Sequence, residues 1–137
     1  MLDTNVVVAA MRSPTGASAA LLMAARHTAL TMLASVALAL EYEAICRLAD
    51  HRLAAGLNLD EVDLFVDGVL AMVEPVEIHF LWRPQLRDAA DELVLEAAVN
   101  GRAASIVTFN RRDFGAAPAR FGIDLLTPAD ALRRVRT

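Results

Sequence analysis

No lysine occurs anywhere in the 137 residues of the chain. That absence excludes every mechanism needing a catalytic or phosphate-clamping lysine, the P-loop nucleotide hydrolases among them. The single cysteine, Cys46, has no partner for an internal disulfide and fits a reducing cytosol. It also has no nearby histidine to activate it as a nucleophile. Aromatic side chains make up only 5% of the chain, so a 56% apolar composition must build its core mainly from Ala, Leu and Val. The most apolar stretch, residues 31–40, falls short of the ~20 residues that span a bilayer. No basic segment leads into an apolar stretch with a cleavage site, so no membrane association or secretion is expected, and the expected location is cytoplasmic. His27, His51 and His79 are scattered without zinc-site spacing, and there is no Gly-x-Ser-x-Gly elbow.

What the chain does have is acid, unevenly placed. The net charge is −4, yet residues 1–82 hold four Arg against ten acids while residues 83–137 hold nine Arg against seven. The second half is therefore where phosphates would be met, through Arg83, Arg87, Arg111, Arg112 and Arg120. For any one of these, a solvated surface charge is an equally good reading.

Short apolar strands alternate with amphipathic helices, with no repeat and no linker, so residues 1–137 read as one α/β domain around a mainly parallel sheet. Five strands are expected, at 1–3, 29–34, 76–80, 104–108 and 123–126. A helix should begin soon after Asn5 and break at Ser13-Pro14-Thr15-Gly16, with another over 17–27. Ser35 should cap a helix over 36–50, and Asn58 with Glu61 forms a capping box that opens a helix to about 72. Asp88 opens a helix that ends at Gly101 as a C′ residue, and Thr127-Pro128 starts a short terminal helix. Sheets of this kind carry their chemistry at the carboxyl ends of the strands. Asp3 and the run Thr108 to Asp113 both fall there.

Four acidic positions resist bland explanations to different degrees. Asp3 is equally good as an N-cap or as a ligand, because Thr4 or Asn5 could cap the same helix. Glu41 lies along the flank of the stripe Leu38, Ile45 and Leu48 with no cation within a turn, whereas Glu43 has Arg47 at i+4 and needs no other account. Asp88 is explained as an N-cap. Asp91 neighbours Val94, Leu95 and Ala98 on the inward stripe, while Glu92 and Glu96 are expected on the outer side. Asn110 and Asp113 are ordinary turn residues at a strand end. Tyr42 and Trp82 are expected to pack rather than to stack on bases. An acid on an apolar face needs a partner, and a metal ion would serve.

Carboxylates without His or Cys suit hard cations such as Mg²⁺ or Mn²⁺. Such ions acidify water and stabilise the charge that develops during phosphodiester hydrolysis, so the set points to a metal-dependent nuclease. An Asp-based phosphatase of the haloacid dehalogenase type would share the Asp-x-Asn after a strand, but it would also need a lysine.

Leu2-Asp3-Thr4-Asn5-Val6, Glu41-Tyr42, Arg87-Asp88-Ala89-Ala90-Asp91-Glu92 with Leu95-Glu96-Ala97-Ala98, and Val107-Thr108-Phe109-Asn110-Arg111-Arg112-Asp113-Phe114 together resemble the PIN-domain family. The order and spacing match over nearly the whole chain. The stretch from His79 to Asp113-Phe114 is most similar to the bacterial toxins of the VapC type. The resemblance implies a three-layer α/β/α domain and a Mg²⁺/Mn²⁺-dependent endoribonuclease. It places metal and catalytic roles on Asp3, Glu41 and Asp91, with the fourth on Asn110 or, as preferred here, Asp113. Thr4, Asn5, Asp88, Thr108 and Asn110 would support the site, and Arg87, Arg111 and Arg112 would bind RNA. A homodimer and a cognate antitoxin are further implied partners, with the helices around residues 45–72 as the docking groove. The alternatives are a catalytically impaired PIN-like RNA- or protein-binding module, or a nuclease acting on DNA. Two departures from the family pattern stand out. Only Met1 and Leu2 precede Asp3, which implies an upstream start or a weakly anchored strand, and Asn110 stands where relatives often carry Asp.

Overall fold

The protein is described here by a computed structural model covering residues 1–80 and 85–137. Trp82 and Arg83, and with them part of the His79–Pro84 motif, lie outside the described residues. Helices α1 (Thr4–Arg12) and α2 (Ala17–Arg26) come first, followed by β1 (Met32–Ala34), α3 (Val36–Cys46), α4 (Ala49–Ala55) and α5 (Leu59–Ala71). Then come β2 (Val73–Pro75), α6 (Ala89–Asn100), β3 (Ser105–Val107), the single turns α7 (Arg111–Phe114) and α8 (Ala117–Arg120), β4 (Asp124–Leu126) and α9 (Pro128–Arg136). Among the described residues every strand pairing is parallel, as expected of an α/β domain.

The sheet is more fragmentary than the expected five strands. Among the described residues, β1 pairs with β2 and β3 pairs with β4, as two separate ladders. Leu2 adds a single bridge to Val107, with Val107 N–H donating to Met1 C=O and Asp3 N–H to Val107 C=O, both at 2.9 Å. That pair of bonds sets Asp3 beside the end of β3.

Two boundaries and one helix cap depart from the sequence expectation, each for a physical reason. The strand expected at 76–80 is displaced to 73–75. Beyond Val76 the backbone is held by a side chain instead of a ladder: Asn100 Oδ1 accepts from His79 and Phe80 N–H, each at 2.9 Å, and Asn100 Nδ2 donates back to Phe80 C=O at 2.9 Å. The helix expected over 36–50 breaks after Cys46, Leu48 takes extended geometry as the next N-cap, and α4 turns to pack on α1. Helix α6 ends before Gly101 as expected, but Gly101 itself has φ −85°, and the left-handed residue is Arg102 at +52°. Glycine is needed at 101 for room, since a Cβ there would lie 2.7 Å from Val76 Cγ2.

The caps read from the sequence are present. Ser35 accepts from Leu38 N–H, Asn58 and Glu61 form the reciprocal box, Asp88 accepts from Ala90 N–H, and Thr127 accepts from Asp130 N–H. The core gathers Val6 and Val7 of α1, Leu38, Tyr42 and Cys46 of α3, Val94 and Leu95 of α6, and Ile106 of β3. Burial pushes the Cys46 thiol up to about 11, so it holds no reactive thiolate at neutral pH. No single helix among the described residues is long and apolar enough to cross a membrane.

Candidate active site

The site begins with Thr108, fully buried at the end of β3. Its hydroxyl is saturated. It donates to Asp3 Oδ2 at 2.7 Å, accepts from Asn110 N–H at 3.0 Å and accepts from Asn5 Nδ2 at 3.4 Å. Asp3 occupies the N-cap position of α1, but its side chain makes no cap bond. The residue is 7% exposed, and its carboxylate is instead held by Thr108. That geometry removes the bland reading of Asp3. Burial raises its pKa, the Thr108 hydroxyl and Thr4 backbone oppose the rise, and the charges of Glu41 and Asp113 add to it.

Thr4, the first residue of α1, donates from its hydroxyl to Glu41 Oε2 at 2.6 Å and so draws α3 to the same place. Tyr42, the next residue on α3, is fully buried, and its phenol donates to the Leu2 carbonyl. Burial, and then the charges of Asp3 and Glu41, push that phenol upward, so it stays a protonated donor. Tyr42 is thus a packing residue, as expected, and it also anchors the backbone immediately before Asp3. Glu43 is exposed, and its expected partner Arg47 instead reaches across to Asp63 on α5.

Asp91 lies in the first turn of α6, half-buried. Its pKa is raised to about 6, first by burial and then by the charges of Asp3, Asp88, Asp113 and Glu41. Acids at the N-cap of α1, on α3, at the N-cap of α6 and on α7 therefore act together on Asp91. The outward placement expected of Glu92 and Glu96 is wrong, for both are buried. Helix α6 is central, packed against β1, β3, α3 and α7, and residues 85–86 fold over the flank that the sequence pattern assigns to solvent. Glu92 Oε1 accepts from Gln85 N–H at 2.5 Å and Leu86 N–H at 2.7 Å, a role with no signal in the sequence pattern. Asp88 caps its helix, as read.

At the fourth position, Asn110 is exposed and its side chain makes no cap bond, while Asp113 is the group whose charge reaches Asp3 and Asp91. Two clefts flank the acids. One of about 500 Å³ is lined by Asp88, Asp91 and Asp113 together with Arg87, Arg112 and Arg120. The other, of about 490 Å³, holds Asp3 and Glu41 with Arg12 and His51. Arg111 lines neither of these, and its charge acts on Asp130.

Oxygen donors of one sign whose charges raise the pKa of Asp3 and Asp91 fit a hard divalent cation, and Asp3, Glu41, Asp91 and Asp113 would hold it. Among the described residues, no three acids are gathered tightly enough to hold an ion by themselves. A Mg²⁺-type cation needs only one or two direct carboxylates and meets the others through its retained waters.

The family model described as PIN domain matches residues 1–112. The chain belongs to the PIN-domain family. PIN domains are generally nucleases and usually use divalent metal ions, the class that the acid cluster independently suggests. The match takes in Asp3, Glu41, Asp91 and Asn110 and stops one residue short of Asp113. No curated protein and no solved structure matches this PIN domain.

Proposed function

We propose that this PIN domain is a Mg²⁺- or Mn²⁺-dependent endoribonuclease, the toxin of a toxin–antitoxin pair acting in the cytoplasm. The observation that carries the nuclease reading is Asp91, raised to about 6 by burial and by four acids from other positions. Such mutual repulsion is a standing cost in a metal-free fold, and a cation relieves it. When bound, the cation would activate water and stabilise the developing phosphate charge. The chain's own residues orient the acids: Thr108 fixes Asp3, Thr4 fixes Glu41, and Asp88 caps the helix that presents Asp91. Arg87, Arg112 and Arg120 line the adjoining cleft, where a polyanion would enter.

The toxin role rests on the resemblance to VapC-type proteins. Exposed Leu48, Leu53, Leu59 and Leu64, in the helices around residues 45–72, supply apolar surface for an antitoxin or a second copy. Purified protein with Mn²⁺ should cleave RNA in preference to DNA of the same sequence, and Asp3→Asn should abolish cleavage. Expression alone should arrest growth, and co-expression of an adjacent small reading frame should relieve the arrest. Cleavage untouched by Asp3→Asn would remove the site assignment. That no three acids form a ready-made group among the described residues favours a second reading, a catalytically impaired binding module. Calorimetry showing no Mn²⁺ binding alongside intact RNA binding would select it.

A further inference from the structure

The cleft on the Asp3 and Glu41 side carries chemistry that the acids do not use. Arg12, the last residue of α1, is exposed and pairs with no carboxylate among the described residues. Its guanidinium contacts His51 Nδ1 at 3.4 Å, an approach possible only because α4 breaks away from α3 and packs on α1. Phe109, which follows Thr108, is 53% exposed on the rim of the same cleft. Its backbone N–H makes a long 3.5 Å bond to Asn5 Oδ1, so the residue is tied to the helix that bears Asp3. An unpaired Arg and an exposed aromatic ring beside two carboxylates form the combination that binds single-stranded polynucleotide, phosphate on one and base on the other.

We infer that this cleft is a single-strand subsite, in which Arg12 holds a backbone phosphate and Phe109 stacks a base, with His51 positioning the Arg12 guanidinium. The inference rests on the nuclease reading for its substrate class. Arg12 is the ninth residue of α1, roughly 13 Å along the helix from Asp3, so Arg12 meets a phosphate removed from the reacting one. The strand would then run across the acids from the Arg12 cleft toward that of Arg87, Arg112 and Arg120.

The test is equilibrium binding of labelled 12-nucleotide single strands of RNA and of DNA, and of an RNA duplex, to the full chain in metal-free buffer. Arg12→Ala should lower the slope of log affinity against log salt by about 0.7 on single strands, and Arg12→Lys should restore most of it. Phe109→Ala should weaken single-strand binding roughly 10-fold and leave duplex binding unchanged. His51→Ala should weaken binding less than Arg12→Ala. A preference for RNA over DNA would place a 2′-hydroxyl contact in the same subsite, and equal binding would make it a phosphate-and-base site only; both agree with the inference. Unchanged affinity and slope in Arg12→Ala and Phe109→Ala, or equal losses on duplex and single strand, would overturn it. Because binding is read without metal, Mn²⁺-dependent cleavage that persists beside such a result would leave the nuclease reading standing while this inference falls.

Discussion

Thr108 and Asp91 show how single side chains set the character of the site. Thr108 spends its one donor on Asp3 and both acceptor positions on Asn110 and Asn5, so Thr108→Val keeps the shape and strands three polar partners. It should cost about 1–3 kcal/mol in chemical denaturation and reduce cleavage as Asp3 loses its anchor. Asp91 works in the opposite sense. A carboxyl whose pKa is higher in the fold than in the unfolded chain binds its proton more tightly when folded. Its contribution to metal-free stability is therefore greatest below about pH 4, declines as the pH rises toward 6 and is lost above that. Asp91→Asn should flatten that decline and, without metal, raise stability at pH 7 by on the order of 1 kcal/mol, allowing for the screening of a half-exposed group. Melting curves at pH 5 and pH 7 would check both. At this scale the sequence was informative where a residue's bland partner could be named and found missing, as for Glu41. It misled at Glu92 and Glu96, which are both buried; at Glu92 a helical wheel cannot foresee residues 85–86 folding over its polar side.

Elements were legible where local chemistry decides them. Caps at Ser35, Asn58, Asp88 and Thr127 are short-range bonds between residues a few positions apart, and all four are present. The Val6-Val7-Val8 run favours strand by propensity, yet it lies in α1 because tertiary burial of that helix outweighs the preference. What stayed hidden depends on distant partners: Asn100 capturing the backbone at 79–80, and the turn between α3 and α4 that delivers His51 to Arg12. Gly101 illustrates the difference, as a helix-ending glycine whose need is space between Val76 and Leu33. Gly101→Ala should destabilise the fold by about 1–3 kcal/mol through overpacking, and Val76→Ala in the same chain should recover part of it. Thermal melting of the single and double variants would show the coupling.

For the molecule as a whole, the parallel α/β class was readable from alternation alone, but sheet continuity was not, since ladders of three residues depend on packing from both faces. The sign change in charge along the chain did translate into space. The basic cleft comes from the second half of the chain, and it abuts acids contributed by both halves. Residues 1–112 carry the family match, while β4 and α9, which lie beyond it, still complete the β3 ladder and pack on α2. The central claim is that Asp3, Glu41, Asp91 and Asp113 form one metal-dependent nuclease site. The most direct test is the cleavage rate of single-stranded RNA in Mn²⁺ for the wild type and for Asp91→Asn, with melting curves confirming that both are folded. The account predicts cleavage by the wild type that chelator abolishes, and a loss of roughly 100-fold or more in a variant at least as stable as its parent. Equal rates in the two folded proteins would contradict it.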